Sequence, residues 1–470
     1  MKKLFSALLA LIMLFILPFT ANASYNIEPL DRAGWDERYN SLCDDNTLPM
    51  LCVGADQTQL SLVWHADAAA AQPQVRWADT AEMTDYITFT GTVTPAETEQ
   101  QSVCRVNITG IDEYSVYYYQ WNTGSGWSEP CRYESNGFDA YKVMVIGDIQ
   151  IGGQTESREV QSDIGYTWNS ILAEALTKNP DVSFLVSPGD NTSTGKTADE
   201  WQTLLKPKVL RNLPLALAIG NHDKKGLTYN YYTNMPNEFY GEYFTGIDRD
   251  FWFRYGDVLY LFFDACSSSA ADHMAMAEQA VKENPDAKWR IGVMHQALFG
   301  AGGSGYDPET AILLNAVFTP IFDTYDVDLV ITGHSHAQGR SKFIFESIVV
   351  GDAKSGETYI NPKGTVYLNT NAVCDQAEGI TTPYLDYCFT ANDVTTYSTL
   401  EFYGNTMELK TFRGDNSNLL DSLTIEKDVG HQDLAPTFIA QRLLYKFVEF
   451  FGWIYGVIDA IVVANRGGSF

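Results

Sequence analysis

The sequence predicts an α/β protein, with a large domain of parallel strands covered by helices behind a small all-β sandwich. Two observations carry that reading. Between residues 139 and 414, strand-like apolar runs alternate with helical stretches at Asp163 to Thr177, Ala198 to Leu210, His273 to Glu283 and Glu309 to Tyr325. Such alternation gives parallel strands with covering helices. From residue 24 to 138 the pattern is instead short, β-rich and aromatic. It alternates in Gln74 to Ala78 and Tyr86 to Gly91 between Thr, Pro and Gly turns, as in a small antiparallel sandwich.

The strand ends carry the chemistry. Asp328 to Thr332 is an apolar run that stops at Gly333 and turns through His334-Ser335-His336. Side chains two apart in extended or turn geometry project to one side, so both rings can face one point. Four more runs end in the same way. Val143 to Gly147 leads into Asp148-Ile149-Gln150, and Phe184 to Ser187 leads through Pro188-Gly189 into Asp190. Leu215 to Ile219 leads into Gly220-Asn221-His222-Asp223, and Trp289 to Met294 leads into His295. Of seven histidines, four fall in these segments; His65, His273 and His431 do not, and read as structural or exposed. Strand carboxyl ends are where α/β sheets leave a crevice for ligands. Carboxylates, amides and imidazoles gathered there are the donors a two-metal centre needs, with one carboxylate bridging.

The ordered set Gly-Asp-x-Gln, Gly-Asp, Gly-Asn-His-Asp, a lone His after a strand, and Gly-His-x-His resembles the calcineurin-like metallophosphoesterase superfamily. With the upstream β domain, the chain is similar to its purple acid phosphatase branch. Val106 to Ile111, followed by Tyr114 to Trp121, resembles the end of a fibronectin-type domain. The resemblance implies a four-layer α/β/β/α sandwich and two divalent ions, Mn, Zn or Fe. It implies that Asp148 and His336 hold the first ion, Asp190 bridges, and Asn221, His295 and His334 hold the second. His222, Asn221 and Asp223 would be the catalytic residues, with His222 facing the phosphate and leaving group. Two positions depart from the pattern. Gln150 stands where an imidazole is usual, a weaker donor for the first ion. Ser193 replaces the tyrosine that gives the purple enzymes their colour, so no obligatory ferric ion and no purple colour are expected.

The activity so implied is hydrolysis of small phosphate monoesters by attack of a metal-bridging hydroxide. Two alternatives stand beside it: a phosphodiesterase or nucleotide pyrophosphatase, and a non-catalytic surface binding protein on the same fold. The Tyr-rich loop Leu227 to Phe244 could stack on a nucleoside or aryl group, or be packed by its own rings. Ala301 to Tyr306, Gly-rich and just after His295, reads as a mobile rim.

Met1 to Ala23 has two lysines, an apolar middle and Ala21-Asn22-Ala23, the pattern of a secretory signal. An exported protein is therefore expected. The net charge of −28 disfavours nucleic acid, whose phosphates need neutralising Lys and Arg. In an exported chain the seven cysteines read as disulfides. Cys43 with Cys52, Cys104 with Cys131, and Cys374 with Cys388 are the economical pairings, leaving Cys266 as a buried thiol. Residues 415–470 read as a polar linker followed by an apolar helix, Phe438 to Ala464. Two acids inside that helix argue against spanning and for docking on protein or a membrane surface.

Overall fold

The computed structural model describes residues 25–428 apart from 43–44, 68–71, 97–100, 154, 156, 242–248, 268 and 304–307. The expected signal, His431 and the apolar tail lie outside the described residues. Among the described residues no helix is long and apolar enough to cross a membrane.

The strands of the amino-terminal region are β1 (Met50–Val53), β2 (Gln59–Asp67), β3 (Gln74–Ala78), β4 (Ile87–Thr90), β5 (Thr92–Pro95), β6 (Gln101–Thr109), β7 (Val116–Trp121) and β8 (Cys131–Glu134). Then follow β9 (Ala140–Val145), β10 (Val182–Ser187), β11 (Leu215–Leu217), β12 (Phe251–Tyr255), β13 (Val258–Phe263), β14 (Trp289–Met294), β15 (Leu329–Thr332) and β16 (Gly339–Ser341). The last are β17 (Phe343–Phe345), β18 (Ile348–Gly351), β19 (Thr358–Ile360), β20 (Val366–Asn369), β21 (Leu385–Cys388), β22 (Thr396–Tyr403), β23 (Thr406–Arg413) and β24 (Leu419–Glu426). The principal helices are α1 (Arg32–Ser41), α2 (Arg158–Lys178), α3 (Ala198–Leu205), α4 (Thr228–Tyr232), α5 (Ala270–Glu283) and α6 (Pro308–Thr324).

Two large sheets dominate, one ordered β19-β24-β23-β22-β9-β10-β11-β1-β2-β6-β5 and the other β12-β13-β14-β15-β20-β16-β21. Side-chain alternation along β13 shows how they layer. Tyr260 and Phe262 join the core shared with β9, β10 and α2, while Leu259, Leu261 and Phe263 join Met276 of α5 and Phe318 and Phe322 of α6. A strand buried on both faces reads as a continuous apolar run. The expected α/β architecture, helices outside two facing sheets behind an all-β region, is what the chain adopts.

The amino-terminal strands depart from a free-standing sandwich. β4-β3-β7-β8 form their own sheet, but β1-β2-β6-β5 continue the large one, because β1 pairs in parallel with β11 at Cys52↔Leu215. Leu60, Leu62 and Trp64 of β2 face the four-stranded sheet, and Val63 joins the core shared by β9, β10 and β13. Helix α1 was not anticipated in this β-rich stretch. Asp31 caps it by accepting from the Gly34 amide, and Trp35 is buried with its indole N–H on the Ser162 carbonyl of α2.

The polar linker expected from residue 415 is also corrected. Leu419–Glu426 is β24, an antiparallel neighbour of β23. Its inward positions are Asp421, Leu423 and Ile425, and the acid among them hides the apolar alternation. Asp421 is instead held by Arg340 of β16, at 2.6 Å to Nε and 2.9 Å to an Nη, so one fully buried ion pair ties the two sheets together.

The disulfide pairings are not seen. Cys52, Cys104, Cys131, Cys266, Cys374 and Cys388 are free thiols, and Cys43 lies outside the described residues. Cys104 and Cys131 sit on strands of different sheets, and the Cys374 thiol is engaged by Gln150. Cys266 is half-buried rather than buried, its sulfur accepting from the Gln296 amide.

At the end of α6, Asp323 accepts from the Glu346 amide in the turn between β17 and β18. Burial pushes its carboxyl up to about 7. The folded chain then holds a proton that the unfolded chain has lost, so stability falls as pH rises from about 4 to about 7. Asp323→Asn keeps the acceptor and removes the titration. Its melting temperature is expected to exceed wild type at pH 8, by on the order of 3 kcal/mol in stability, and to converge with wild type near pH 4. Parallel melting curves across that range would refute the assignment.

Candidate metal centre

The donors come from both sheets. Asp148 and Gln150 follow β9, Asp190 follows β10 and Asn221 to Asp223 follow β11, all parallel neighbours in the larger sheet. His295 follows β14, and His334 and His336 follow β15, parallel neighbours in the facing sheet. The site therefore lies where the carboxyl ends of two sheets meet.

Backbone geometry there is unusual. Asp148, Gln150, Asp190, His334 and His336 all have positive φ, between 44° and 69°. Each such non-glycine residue costs on the order of 1–3 kcal/mol, and clusters of them mark sites where side-chain aim matters more than local comfort. Neighbouring turns hold them: the Gln150 amide donates to the Asp190 carbonyl, and the His334 amide donates to the Asp148 carboxylate. Two glycines make room. A Cβ on Gly220 would stand 2.1 Å from Asp190 Oδ1, and one on Gly333 would stand 2.3 Å from Asp148 Oδ2.

The side chains converge on His295 Nε2. Asp190 Oδ2 lies 3.0 Å from it, Asn221 Oδ1 3.1 Å and His334 Nδ1 3.3 Å. Asp190, His295 and His334 offer ligand atoms all within 4.8 Å of one another. Beside them, His336 Nε2 stands 3.6 Å from Asp148 Oδ1, and its Nδ1 donates to the Asp375 carbonyl at 2.8 Å. That second bond fixes the tautomer and leaves Nε2 as a lone-pair donor, as outer partners of ligating histidines do.

The electrostatics favour positive charge. Burial opposes a proton on His295, but Asp190, Asp148 and Asp223 outweigh it and push the imidazole up to about 9. His334, lowered to about 4 by burial and by His295, keeps its lone pair. Burial works against the Asp190 carboxylate too, yet His295 and His222 hold it below the usual range.

A family model and solved structures resemble this chain. The sequence model of the calcineurin-like phosphoesterases matches residues 141–338, the span that contains every donor named above. The chain carries a calcineurin-like phosphoesterase domain. No curated relative matches the chain in sequence. Among solved structures, it is similar to purple acid phosphatase PPD1 from yellow lupin (Lupinus luteus) seeds, at TM-score 0.67 and 15% identity over 83% of this chain and 77% of that one. It is also similar to PhoD, at TM-score 0.52 and 8% identity over 89% of this chain and 99% of that one. At such identities the likeness is one of fold.

The calcineurin-like phosphoesterase domain is that of metal-dependent phosphoric ester hydrolases, and divalent ions belong to its chemistry. The donor set fits them. One imidazole N–H cannot serve three acceptors at once, whereas a cation among Asp190, Asn221, His295 and His334 satisfies all four.

The other catalytic candidates sit around this cluster. His222 Nδ1 is 2.6 Å from the Ser193 carbonyl, a hydrogen bond that requires the proton on Nδ1. Lys225 Nζ stands 2.9 Å from the same nitrogen, and burial lowers the ring's affinity for a second proton. The His222 amide donates to Asp190 Oδ1 at 2.7 Å. Asp223 faces inward: its two oxygens accept from the Asn191 and Thr192 amides, their side chains and the Gly220 amide. It clamps the two ligand-bearing turns of the phosphoesterase domain.

Some contributors were not read from the sequence. The Asn369 amide, at the end of β20, donates to Ser335 Oγ and the Ala337 carbonyl and so staples the His-Ser-His turn. Its signal was present as a sixth strand ending in polar residues, Leu368-Asn369-Thr370-Asn371. Cys374 and the Asp375 carbonyl had no such signal. In the Tyr-rich loop, Tyr229 and Tyr232 are core residues, the latter stacked on Trp201 and His65, while Tyr240 is exposed.

Proposed function

We propose that the protein is an exported phosphomonoesterase that works with two divalent ions. The observation that carries this is the convergence of Asp190, Asn221 and His334 on His295, with Asp148 and His336 alongside. Asp148 and His336 would hold the first ion, with Gln150 as a further oxygen donor, Asp190 would be shared by both, and Asn221, His295 and His334 would hold the second. When bound, such a pair activates water near neutral pH and neutralises phosphoryl charge. Asn221 orients the phosphate. His222, its Nδ1–H anchored on Ser193, would turn Nε2 to the leaving oxygen and deliver a proton there from its imidazolium form, which burial opposes and Asp190 favours. Asp223 is a positioning residue acting through the 190–192 and 220 turns. A small phosphate ester is the substrate class, and Mn, Zn or Fe the expected metals.

Export rests on the Met1 to Ala23 pattern. A fibronectin-type reading of the amino-terminal strands is supported by their order, β1-β2-β6-β5 and β4-β3-β7-β8, which is the arrangement of immunoglobulin-like sandwiches. Trp77 buried on the third strand, and the Tyr117 hydroxyl accepting from the Asp112 amide, support it further.

His222→Ala tests the acid role. Metal content is expected to stay at the wild-type level while alkyl phosphates slow by about 10²–10⁴-fold, and aryl phosphates with good leaving groups slow much less. Equal losses for both would refute it. Faster turnover of bis-aryl phosphates than of aryl monophosphates would point to a diesterase. No turnover with any added divalent ion, in folded protein, would point to a binding protein.

A further inference from the structure

The His222 ring is aimed by the hydrogen bond from its Nδ1 to the Ser193 carbonyl at 2.6 Å. Lys225 Nζ, 2.9 Å from the same nitrogen, cannot share that task, because an ammonium only donates and Nδ1 already carries its proton. The direction of the ring therefore depends on what holds the 193–195 turn.

Helix α3 holds it with a buried acid. Glu200 is fully buried, and both its oxygens accept from the Thr194 amide, Oε1 at 3.2 Å and Oε2 at 3.1 Å, while Oε2 also accepts from the Thr194 hydroxyl at 3.0 Å. A glutamate in the first turn of a helix ordinarily reaches back to the amide of the capping residue, here Thr197. Glu200 passes the cap by and reaches three residues further. Its neighbour Trp201 secures the other end of the turn: the indole donates to Thr228 Oγ1 at 2.9 Å, and that hydroxyl donates to the Gly195 carbonyl at 2.7 Å. There is no slack around these contacts. A Cβ on Gly152 would stand 2.4 Å from Glu200 Oε1, and one on Gly195, whose φ is +61°, would stand 2.5 Å from the His222 carbonyl oxygen.

We infer that Glu200 is a positioning residue for proton delivery to the leaving oxygen: through Thr194 it sets where the Ser193 carbonyl lies, and so where His222 Nε2 points. The inference rests on the acid role of His222 proposed above. Burial pushes the Glu200 carboxyl up to about 7, so what it offers near neutral pH is the reach of its oxygens rather than a fixed charge. Displacing a catalytic group by about 1 Å costs about 10²-fold in rate. Shortening the acid by one methylene draws its oxygens back from Thr194 on that scale.

The test is hydrolysis of an alkyl phosphate and an activated aryl phosphate by the full chain loaded with Zn²⁺. Glu200→Asp is expected to slow the alkyl phosphate by about 10²-fold and the aryl phosphate much less, with bound zinc at the wild-type level. Glu200→Gln, which keeps an acceptor within reach of Thr194, is expected to restore most of the alkyl rate. In a His222→Ala background neither substitution should change the alkyl-to-aryl ratio further. Equal slowing of the two esters by Glu200→Asp would overturn the inference, as would a glutamine variant as slow as the aspartate one, or a further change of the ratio in the His222→Ala background. Equal slowing of both esters by His222→Ala, or a wild-type chain that hydrolyses neither, would overturn the acid role of His222, and this inference with it. If Glu200→Asp does not fold, Thr194→Val, which removes one donor and keeps the shape, is read in its place with the same signs.

Discussion

Asp190→Ala is expected to abolish hydrolysis. Asp190 Oδ2 faces His295, its Oδ1 accepts from the His222 amide, and its backbone carbonyl holds the Gln150 turn. As the bridge it would be a ligand to both ions. Electrostatic stabilisation by such ions is worth several kcal/mol in the transition state, and each 1.36 kcal/mol is a factor of ten in rate. A fall in kcat/KM of at least about 10³-fold is expected, with metal content below two ions per chain. The folded state should survive, since the backbone contacts of residue 190 remain. A variant that keeps half the wild-type rate would contradict the bridging role.

The largest effect on stability is expected at Arg340 and Asp421. Both side chains are fully buried and meet through two hydrogen bonds, and Arg340 also donates to the Ala353 carbonyl. Removing one partner leaves an unpaired buried charge, which costs about 3–5 kcal/mol. That is a large part of the roughly 5–15 kcal/mol by which domains are stable. Asp421→Ala is therefore expected to unfold at much lower urea. The double variant Arg340→Met/Asp421→Leu, which removes both charges and keeps the volume, is expected to recover most of the loss. Arg340 lies four positions after His336, so loosening β16 also loosens the ligand turn. A single variant within about 0.5 kcal/mol of wild type would refute the staple role.

The convergence of these side chains was legible in the sequence because each proposed metal ligand ends an apolar run. β9, β10, β11, β14 and β15 carry no carboxylate or imidazole in their interiors, so these residues stand out at the strand ends. The same logic failed at Asp421, where an inward acid satisfied by a distant arginine breaks the alternation of β24. It failed again at α1, whose buried face is little more than Trp35 and Tyr39. The continuous sheet from β11 to β1 depends on one non-local pairing, Cys52↔Leu215, for which local pattern carries no signal. Cysteine spacing suggested disulfides, yet Cys374 belongs beside Gln150, 224 residues away in the chain.

The central claim is that donors from five strand ends enclose a pair of cations. Anomalous diffraction from crystals of the full chain grown with Zn²⁺ tests it most directly. Two peaks roughly 3.5–4 Å apart are expected, one among Asp148, Asp190 and His336 and the other among Asp190, Asn221, His295 and His334. A single peak, or peaks away from these side chains, would contradict it.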